Sequence, residues 1–554
     1  MIKYLLFLIY PLILFLCFLQ IFHKYTDTIK SNIKPLIINT AIVSLTLCVG
    51  LFIFLSYEDT IYTYDYAGHW IRSLEIKNLF INNPRKILPL IYESMNNMDY
   101  SYLPALFIFP FLLIKEGYRW FSITNYFLFL LPTVILLQII YFDKTKLNKY
   151  LPSILLICIY PIYLTLFYGK VDVCGLFFIT MCYALVIFKE KSTLQDNISI
   201  NLFAFLAIFL RRWYLYSVVC FYIIYLIQSV YIKERQQLIY YLVSFIPLFT
   251  VVCLFFWGFV SMSLNNNFTE AYQFYNQNNK IFAFINYFSP LMLLVVALGA
   301  YQEFKDNKLL LLFNIISISI PCIMIWKIQS FEYHHYYIFL LNILILFISG
   351  LKFASGIKTY IIIFITLLMT TQAILIFTPT YNIPLFTKIK KQPEILNNKE
   401  QLIDISNYIK SIETDDDTSV FIAGGAYGII NDDLLRNAFL PNLDYPNIDS
   451  SVFDIRDGFP RDMQYIRYIM IVNPMLYMDQ NYQHIYDVIS EAILNVPEIS
   501  SLYTRIKIMP VNDQYSIDIY EKSGVYTTET KEYFYKKMIE FYPDKTEFFK
   551  YILD

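Results

Sequence analysis

The chain has 554 residues, of which 57% are hydrophobic and 16% charged, with a formal net charge of −1 and a mean hydropathy of +0.49. That balance excludes a soluble globular protein and places the chain among polytopic membrane proteins. There is no basic bias of the kind that marks a nucleic-acid partner, so none is expected.

The first apolar run, Tyr4 to Phe22, is longer than a secretory h-region and lacks a small-residue cleavage signature, so an uncleaved span is expected. Apolar stretches of bilayer length follow at 35–56, 119–141, 150–168, 171–188, 213–231, 238–262, 284–301, 309–326, 335–350 and 359–378. A shorter one at 199–211 brings the total to about twelve. All eight cysteines (Cys17, Cys48, Cys158, Cys174, Cys182, Cys220, Cys253 and Cys322) lie in apolar runs. Neither a disulfide framework nor a cysteine zinc site is therefore expected.

Basic residues then orient the chain. Lys24, Lys30 and Lys34 share one loop, and Lys144, Lys146 and Lys149 share another. Lys189 with Lys191, Lys233 with Arg235, Lys305 with Lys308, and Lys352 with Lys358 recur at every second turn. The positive-inside rule puts all of them on the cytoplasmic side of the cell membrane. Loop 57–118 and everything after 378 are then outside. The stretch 101–114, SYLPALFIFPFLLI, is apolar but short, and it contains Pro104 and Pro110. It is expected to be a juxtamembrane element on the outer face, with the return span beginning near Arg119.

The expected organisation is a transmembrane domain over 1–385 and an extracytoplasmic α/β domain over 390–554. In the latter, LIDISNYIKSI reads as an amphipathic helix, SVFIAGG as a buried strand and NDDLLRNAFL as a capped helix. YIMIVNP reads as a strand, YDVISEAIL as a helix, and RIKIMPV with YSIDIYE as a strand pair. The glycines of AGGAYG (Gly424, Gly425, Gly428) lack dinucleotide-binding spacing and read as a tight turn between strand and helix.

Charges that interrupt the apolar pattern are the candidates for chemistry. YEDTIYTYDYAGHW carries Glu58, Asp59, Asp65 and His69 directly behind a span. Asp65, His69 and Arg72 are spaced i, i+4, i+7 and share one helix face, where a base and a cation can line one cleft. YGKVDVCG sets Lys170 and Asp172 in a short outer loop, as a local turn pair or as part of a site. In FLRRWYLYS, Arg211 and Arg212 suit either a phosphate or lipid headgroups. FEYHHYYIF holds Glu332, His334 and His335 at another outer boundary. The two histidines point to different helix faces, and no HExxH pattern is present, so an aromatic belt accounts for this motif without a metal.

This layout resembles the GT-C superfamily of polytopic membrane glycosyltransferases, which includes protein O-mannosyltransferases and the aminoarabinose transferases that modify lipid A. The matching residues are an acid opening the large first outer loop, either Asp65 in YDYAGHWIRSL or Asp59 in YEDT. The proline-containing stretch SYLPALFIFPFLLIKEGYRWFS, Asp172 in YGKVD, the EYHHYY boundary motif and the trailing external domain complete the match. The resemblance implies an α-helical GT-C-like fold and a sugar donor carried on a polyprenyl phosphate. Transfer would occur on the non-cytoplasmic face to a glycan, lipid or protein acceptor of the cell envelope. It implies Asp65 as general base with Asp59 as the alternative, and Asp172 positioning the acceptor or the base. Arg211 and Arg212 would hold the donor phosphate, with His69, Arg72, Lys170, His334 and His335 as further substrate-binding residues. It leaves open whether a divalent metal ion takes part. Two other functions fit the composition: a cell-surface polysaccharide polymerase or ligase, and a lipid-linked glycan transporter or flippase without chemistry. A transporter is expected to carry ionisable residues midway through its spans, whereas these charges gather at one face.

Overall fold

A computed structural model describes residues 12, 15–16, 19–20, 22–98, 100–145, 147–186, 192–231, 235–265, 280–328, 333–352, 364, 392–413, 420–449, 464–478 and 483–553. Most of the expected spans 4–22 and 359–378, together with Lys189, Lys191, Lys233, Lys358 and Glu332, lie outside the described residues. The chain divides into two compact units. One comprises Met1–Tyr57 with Gly68–Pro393, the other Glu58–Ala67 with Glu394–Asp554.

The first unit is helical. Its elements in order are α1 (Thr26–Tyr57), α2 (Tyr64–Asn82, whose first turn counts with the second unit), α3 (Ile87–Asn97), α4 (Leu103–Leu112) and α5 (Tyr118–Lys144). They continue with α6 (Leu151–Cys158), α7 (Val173–Val186), α8 (Leu194–Leu210), α9 (Tyr214–Tyr231) and α10 (Arg235–Phe255). The remaining helices are α11 (Trp257–Asn265), α12 (Lys280–Phe288), α13 (Pro290–Asp306), α14 (Lys308–Ile328) and α15 (Tyr337–Leu351).

Among the described residues, five helices are long and apolar enough to cross a bilayer: α1, α5, α9, α10 and the stretch His334–Leu351. A sixth is gained if the bent pair α12–α13 is one span. The protein is thus a multi-pass membrane protein, and the described residues carry fewer such helices than the apolar runs suggest. Proline explains part of the difference. The run 150–168 stops being α-helical at Cys158, because Pro161 has no N–H to donate to the carbonyl one turn earlier, and continues as two 3₁₀ pieces, Tyr160–Ile162 and Leu164–Tyr168. The run 284–301 bends by 91° between α12 and α13. Pro290 opens α13 there, and the Ser289 hydroxyl caps it by accepting the Met292 N–H at 3.2 Å. Helix α4, in the stretch 101–114, has only ten residues, about half the length a crossing needs.

Burial separates central from peripheral helices. The His334–Leu351 span is wholly buried inside the protein, whereas α10 is 11% buried and presents its apolar surface outward. Helices α13 and α15 approach through glycine. A Cβ on Gly299 would lie 1.8 Å from the Leu346 carbonyl oxygen, and one on Gly350 would lie 2.1 Å from that of Val295. Small residues let two backbones meet in this way where lipid offers no hydrophobic drive.

The second unit is a five-stranded sheet with helices. It runs α16 (Lys399–Ile412), β1 (Val420–Ala423), α17 (Asp432–Asn437), β2 (Ile448–Asp449), β3 (Tyr468–Asn473), α18 (Gln483–Asn495), β4 (Tyr503–Pro510), β5 (Ser516–Lys522) and α19 (Thr528–Phe541). The strand order is β2-β1-β3-β5-β4. Strands β1, β2 and β3 are parallel, and β5 runs antiparallel to both β3 and β4. Side chains alternate between two cores: Phe421, Ile469 and Ile471 pack with α18 and α19, while Ile422 and Met470 pack with α16 and α17. Burial on both faces is why β1 and β3 read as continuous apolar runs. Strand β4 closes one edge with exposed Arg505 and Lys507 and a register shift between them, features that discourage edge pairing.

Segment 58–67 is part of this second unit. Asp59 forms a parallel bridge with Ile395: its N–H donates to the Glu394 carbonyl at 2.9 Å, and its carbonyl accepts the Leu396 N–H at 2.8 Å. Ile61 is buried in the core with Leu402, Ile405 and Leu434.

Candidate functional site: a buried basic cluster

Within the first unit, three chain breaks and one helix bring charged side chains together. The 3₁₀ piece Leu164–Tyr168 ends on Gly169, whose left-handed φ of 59° turns the chain into Lys170 and Asp172. Asp172 precedes α7, at the helix end where a carboxylate is favoured. Arg211 terminates α8, at the end where a cation is favoured. His334 and His335 sit in the 3₁₀ turn Tyr333–Tyr336 ahead of α15, and His69 and Arg72 lie on α2.

Arg211 Nε donates to Asp172 Oδ1 at 2.8 Å, and both side chains are buried. Tyr214 holds Asp172 from the backbone side, its hydroxyl donating to the Asp172 carbonyl at 2.9 Å. Gly175 makes room for that ring, since a Cβ there would sit 2.2 Å from Tyr214. Arg211 Nη1 also lies 3.5 Å from His69 Nε2. Lys170 Nζ is 2.9 Å from His334 Nδ1. A lysine ammonium has no acceptor, so it donates to a neutral imidazole nitrogen there. His334 packs ring to ring on His335 at 4.0 Å, and His335 on Trp213 at 4.6 Å.

Tyr100 organises the cationic side. The Arg72 guanidinium stands 5.0 Å from its ring centroid and that of Arg211 5.5 Å, with the His69 ring edge-on at 5.9 Å. Tyr102 adds a second ring 5.8 Å from Arg72, and its hydroxyl donates to Glu75. Burial holds the Glu75 carboxyl above its usual range, against the opposing pull of Tyr102 and Arg72.

The cluster therefore unites Asp172, Arg211, His69, Arg72, Lys170, His334 and His335. Arg212 turns elsewhere: its Nη2 donates at 3.4 Å to the Ser94 and Met95 carbonyls of α3, and its guanidinium stands over the Phe259 ring. Consecutive residues at the end of a helix diverge, so the arginine pair does not act as one fork. Asp59 and Asp65 belong to the second unit. Asp59 is ion-paired with Lys399 at 2.6 Å and its side chain is 69% exposed. Asp65 occupies the first turn of α2. Tyr100, Tyr102 and Glu75 were not singled out from sequence. With 50 tyrosines in the chain, two more carried no signal.

The cluster offers two chemical capacities. Its basic lining can hold an anion in a water-poor site, where such contacts are strongest. Asp172 Oδ2 is buried without a hydrogen-bond partner, an acceptor available to a hydroxyl. A hard divalent cation is a poor fit, because it needs several oxygen ligands. Here Asp172 is engaged by Arg211, His334 Nδ1 is engaged by Lys170, and Asp172 is the one carboxylate named in the cluster. Among the described residues, no three His, Cys, Asp or Glu side chains gather in a metal-binding group.

No protein-family model matches the chain, and no curated protein matches it. Among solved structures it is similar to ArnT from Cupriavidus metallidurans bound to undecaprenyl phosphate, with 9% identity and a TM-score of 0.49, over 86% of this chain and 97% of that one.

Proposed function

We propose that the protein is an integral membrane glycosyltransferase that moves a sugar from a polyprenyl-phosphate-linked donor to a cell-envelope acceptor on the non-cytoplasmic face. The observation that carries this reading is the buried Asp172–Arg211 pair set among Lys170, Arg72, His69 and His334. Basic side chains gathered in a water-poor site suit a phosphate, whose oxygens accept from several donors at once. In a multi-pass membrane protein, a lipid phosphate is the anion that reaches such a place along the bilayer.

In the reaction, the acceptor hydroxyl attacks the anomeric carbon, the bond to the phosphate oxygen breaks, and the phosphate departs with the negative charge. Arg211, Arg72 and Lys170 stabilise that charge as it develops. Asp172 Oδ2 accepts a hydrogen bond from a hydroxyl of the sugar or acceptor and orients it. Asp65 takes the proton of the attacking hydroxyl. It precedes His69 and Arg72 by one and two turns on the same face of α2. The C-terminal unit lies outside the cell in this reading.

Purified protein supplied with a panel of sugar-labelled undecaprenyl phosphates tests the proposal. The expected result is label transferred to an acceptor, or to water, with release of undecaprenyl phosphate. If intact donor crosses the bilayer of proteoliposomes and no label is ever released, the protein is a flippase and the proposal fails. Arg211→Lys is expected to lower donor turnover about tenfold or more by removing one preorganised contact to the departing phosphate.

A further inference from the structure

The residue before Asp65 is backbone-strained and held from the far end of the chain. Tyr64 has a φ of 49°, in the left-handed region that an aromatic residue rarely adopts. A strained backbone at a defined position persists only where its surroundings over-determine it. Four contacts do so here, all within the second unit. The Tyr64 N–H donates to Asp433 Oδ2 at 2.7 Å. The Tyr64 ring packs edge-on against Tyr427 at 5.4 Å, and its hydroxyl reaches Met478 Sδ at 3.6 Å. Two residues earlier, Asn437 Nδ2 donates to the Tyr62 carbonyl at 2.9 Å.

Asp433 is itself placed by the turn that follows β1. The glycines Gly424 and Gly428 take φ values of 90° and 70°, and Asn431 caps α17 by accepting the Leu434 N–H at 2.8 Å. Arg436 stands one turn later, 3.8 Å from Asp433 Oδ1. These contacts, all within the second unit, hold Tyr64, and Asp65 is the next residue in the chain.

We propose that Asp433 is a positioning residue for Asp65. By holding the Tyr64 amide in its left-handed conformation, it sets where α2 begins and hence where the Asp65 carboxylate stands. The inference rests on the reading of Asp65 as the general base.

The test uses the full-length protein in nanodiscs, with the sugar-labelled undecaprenyl phosphates of the panel as donor, and amide hydrogen exchange as an activity-independent readout. Asp433→Ala is expected to speed exchange of the Tyr64 amide while the β1 and β3 amides stay protected, which shows that the sheet is intact. It is also expected to lower kcat roughly 10- to 100-fold, the cost of misplacing a reacting group by about 1 Å, with the KM for donor little changed. Asp433→Asn keeps an oxygen able to accept the Tyr64 N–H and is expected to restore both exchange and kcat. The proposal is overturned if Asp433→Ala leaves kcat or Tyr64 exchange unchanged, or if Asp433→Asn is as impaired as Asp433→Ala. Asp65→Asn, run alongside, separates the two levels. If it keeps full activity, the base assignment falls and the positioning role falls with it. If it is inactive while Asp433→Ala turns over normally, the positioning role alone falls.

Discussion

Asp172 and Arg211 leave water together, and the geometry shows how the chain manages that cost. Breaking a buried pair by removing one partner typically costs about 3–5 kcal/mol, since the other charge is left uncompensated. Arg211→Met is accordingly expected to lower stability by about that amount in denaturant unfolding. Arg211→Met combined with Asp172→Leu should recover much of the loss, and no recovery would show that the pair is not coupled. In the second unit, burial holds the Asp433 carboxyl above its usual range. For a carboxyl raised on folding, the stability it contributes is present below the unfolded value and is lost as pH rises through the folded value. Asp433→Asn should therefore raise the unfolding midpoint near neutral pH, and that advantage should vanish on acidification below the usual aspartate range. Lys522 follows the opposite sign, with burial pushing its ammonium down to about 8. Its contribution to stability is present at high pH and is lost as pH falls through about 8, so Lys522→Met should flatten the stability curve there. The charged members of the cluster were legible because Lys170, Asp172, Arg211 and His334 interrupt apolar text. Which arginine turns inward depends on how α8 ends, and no spacing rule contains that.

At the scale of elements, the C-terminal unit was the most readable part. SVFIAGG, YIMIVNP, RIKIMPV and YSIDIYE became β1, β3, β4 and β5, and NDDLLRNAFL became α17 with Asn431 as its cap. Period-two and capping signals are local, so they survive folding. The two-residue β2 left no pattern to read. Among the membrane helices, apolarity marked the segments but not their continuity, because Pro161 and Pro290 set the breaks. Nor did it reveal which helices pack most closely, which depends on Gly299 and Gly350 facing each other's backbones. Gly350→Ala is expected to cost about 1–3 kcal/mol by forcing α13 and α15 apart. A thermal-shift measurement that finds no loss would mean the two helices can separate freely.

For the molecule as a whole, the proposed orientation puts the C-terminal unit outside the cell. Val525 is 79% exposed on that unit, so a cysteine placed there in a cysteine-free background should react with a membrane-impermeant maleimide in intact cells. Labelling only after permeabilisation would reverse the orientation. That result would also move Asp65 to the wrong face for an extracytoplasmic acceptor. The central claim is that this chain transfers a sugar from a lipid phosphate with Asp65 taking the proton. Its most direct test is turnover of a sugar-labelled undecaprenyl phosphate by wild type, Asp65→Asn and Asp59→Asn at equal, folded concentrations. Asp65→Asn is expected to lose about 10²- to 10⁴-fold in rate, the worth of a general base, and Asp59→Asn, whose native carboxylate is tied to Lys399, to stay within a few-fold of wild type. Full transfer by Asp65→Asn would contradict the central claim.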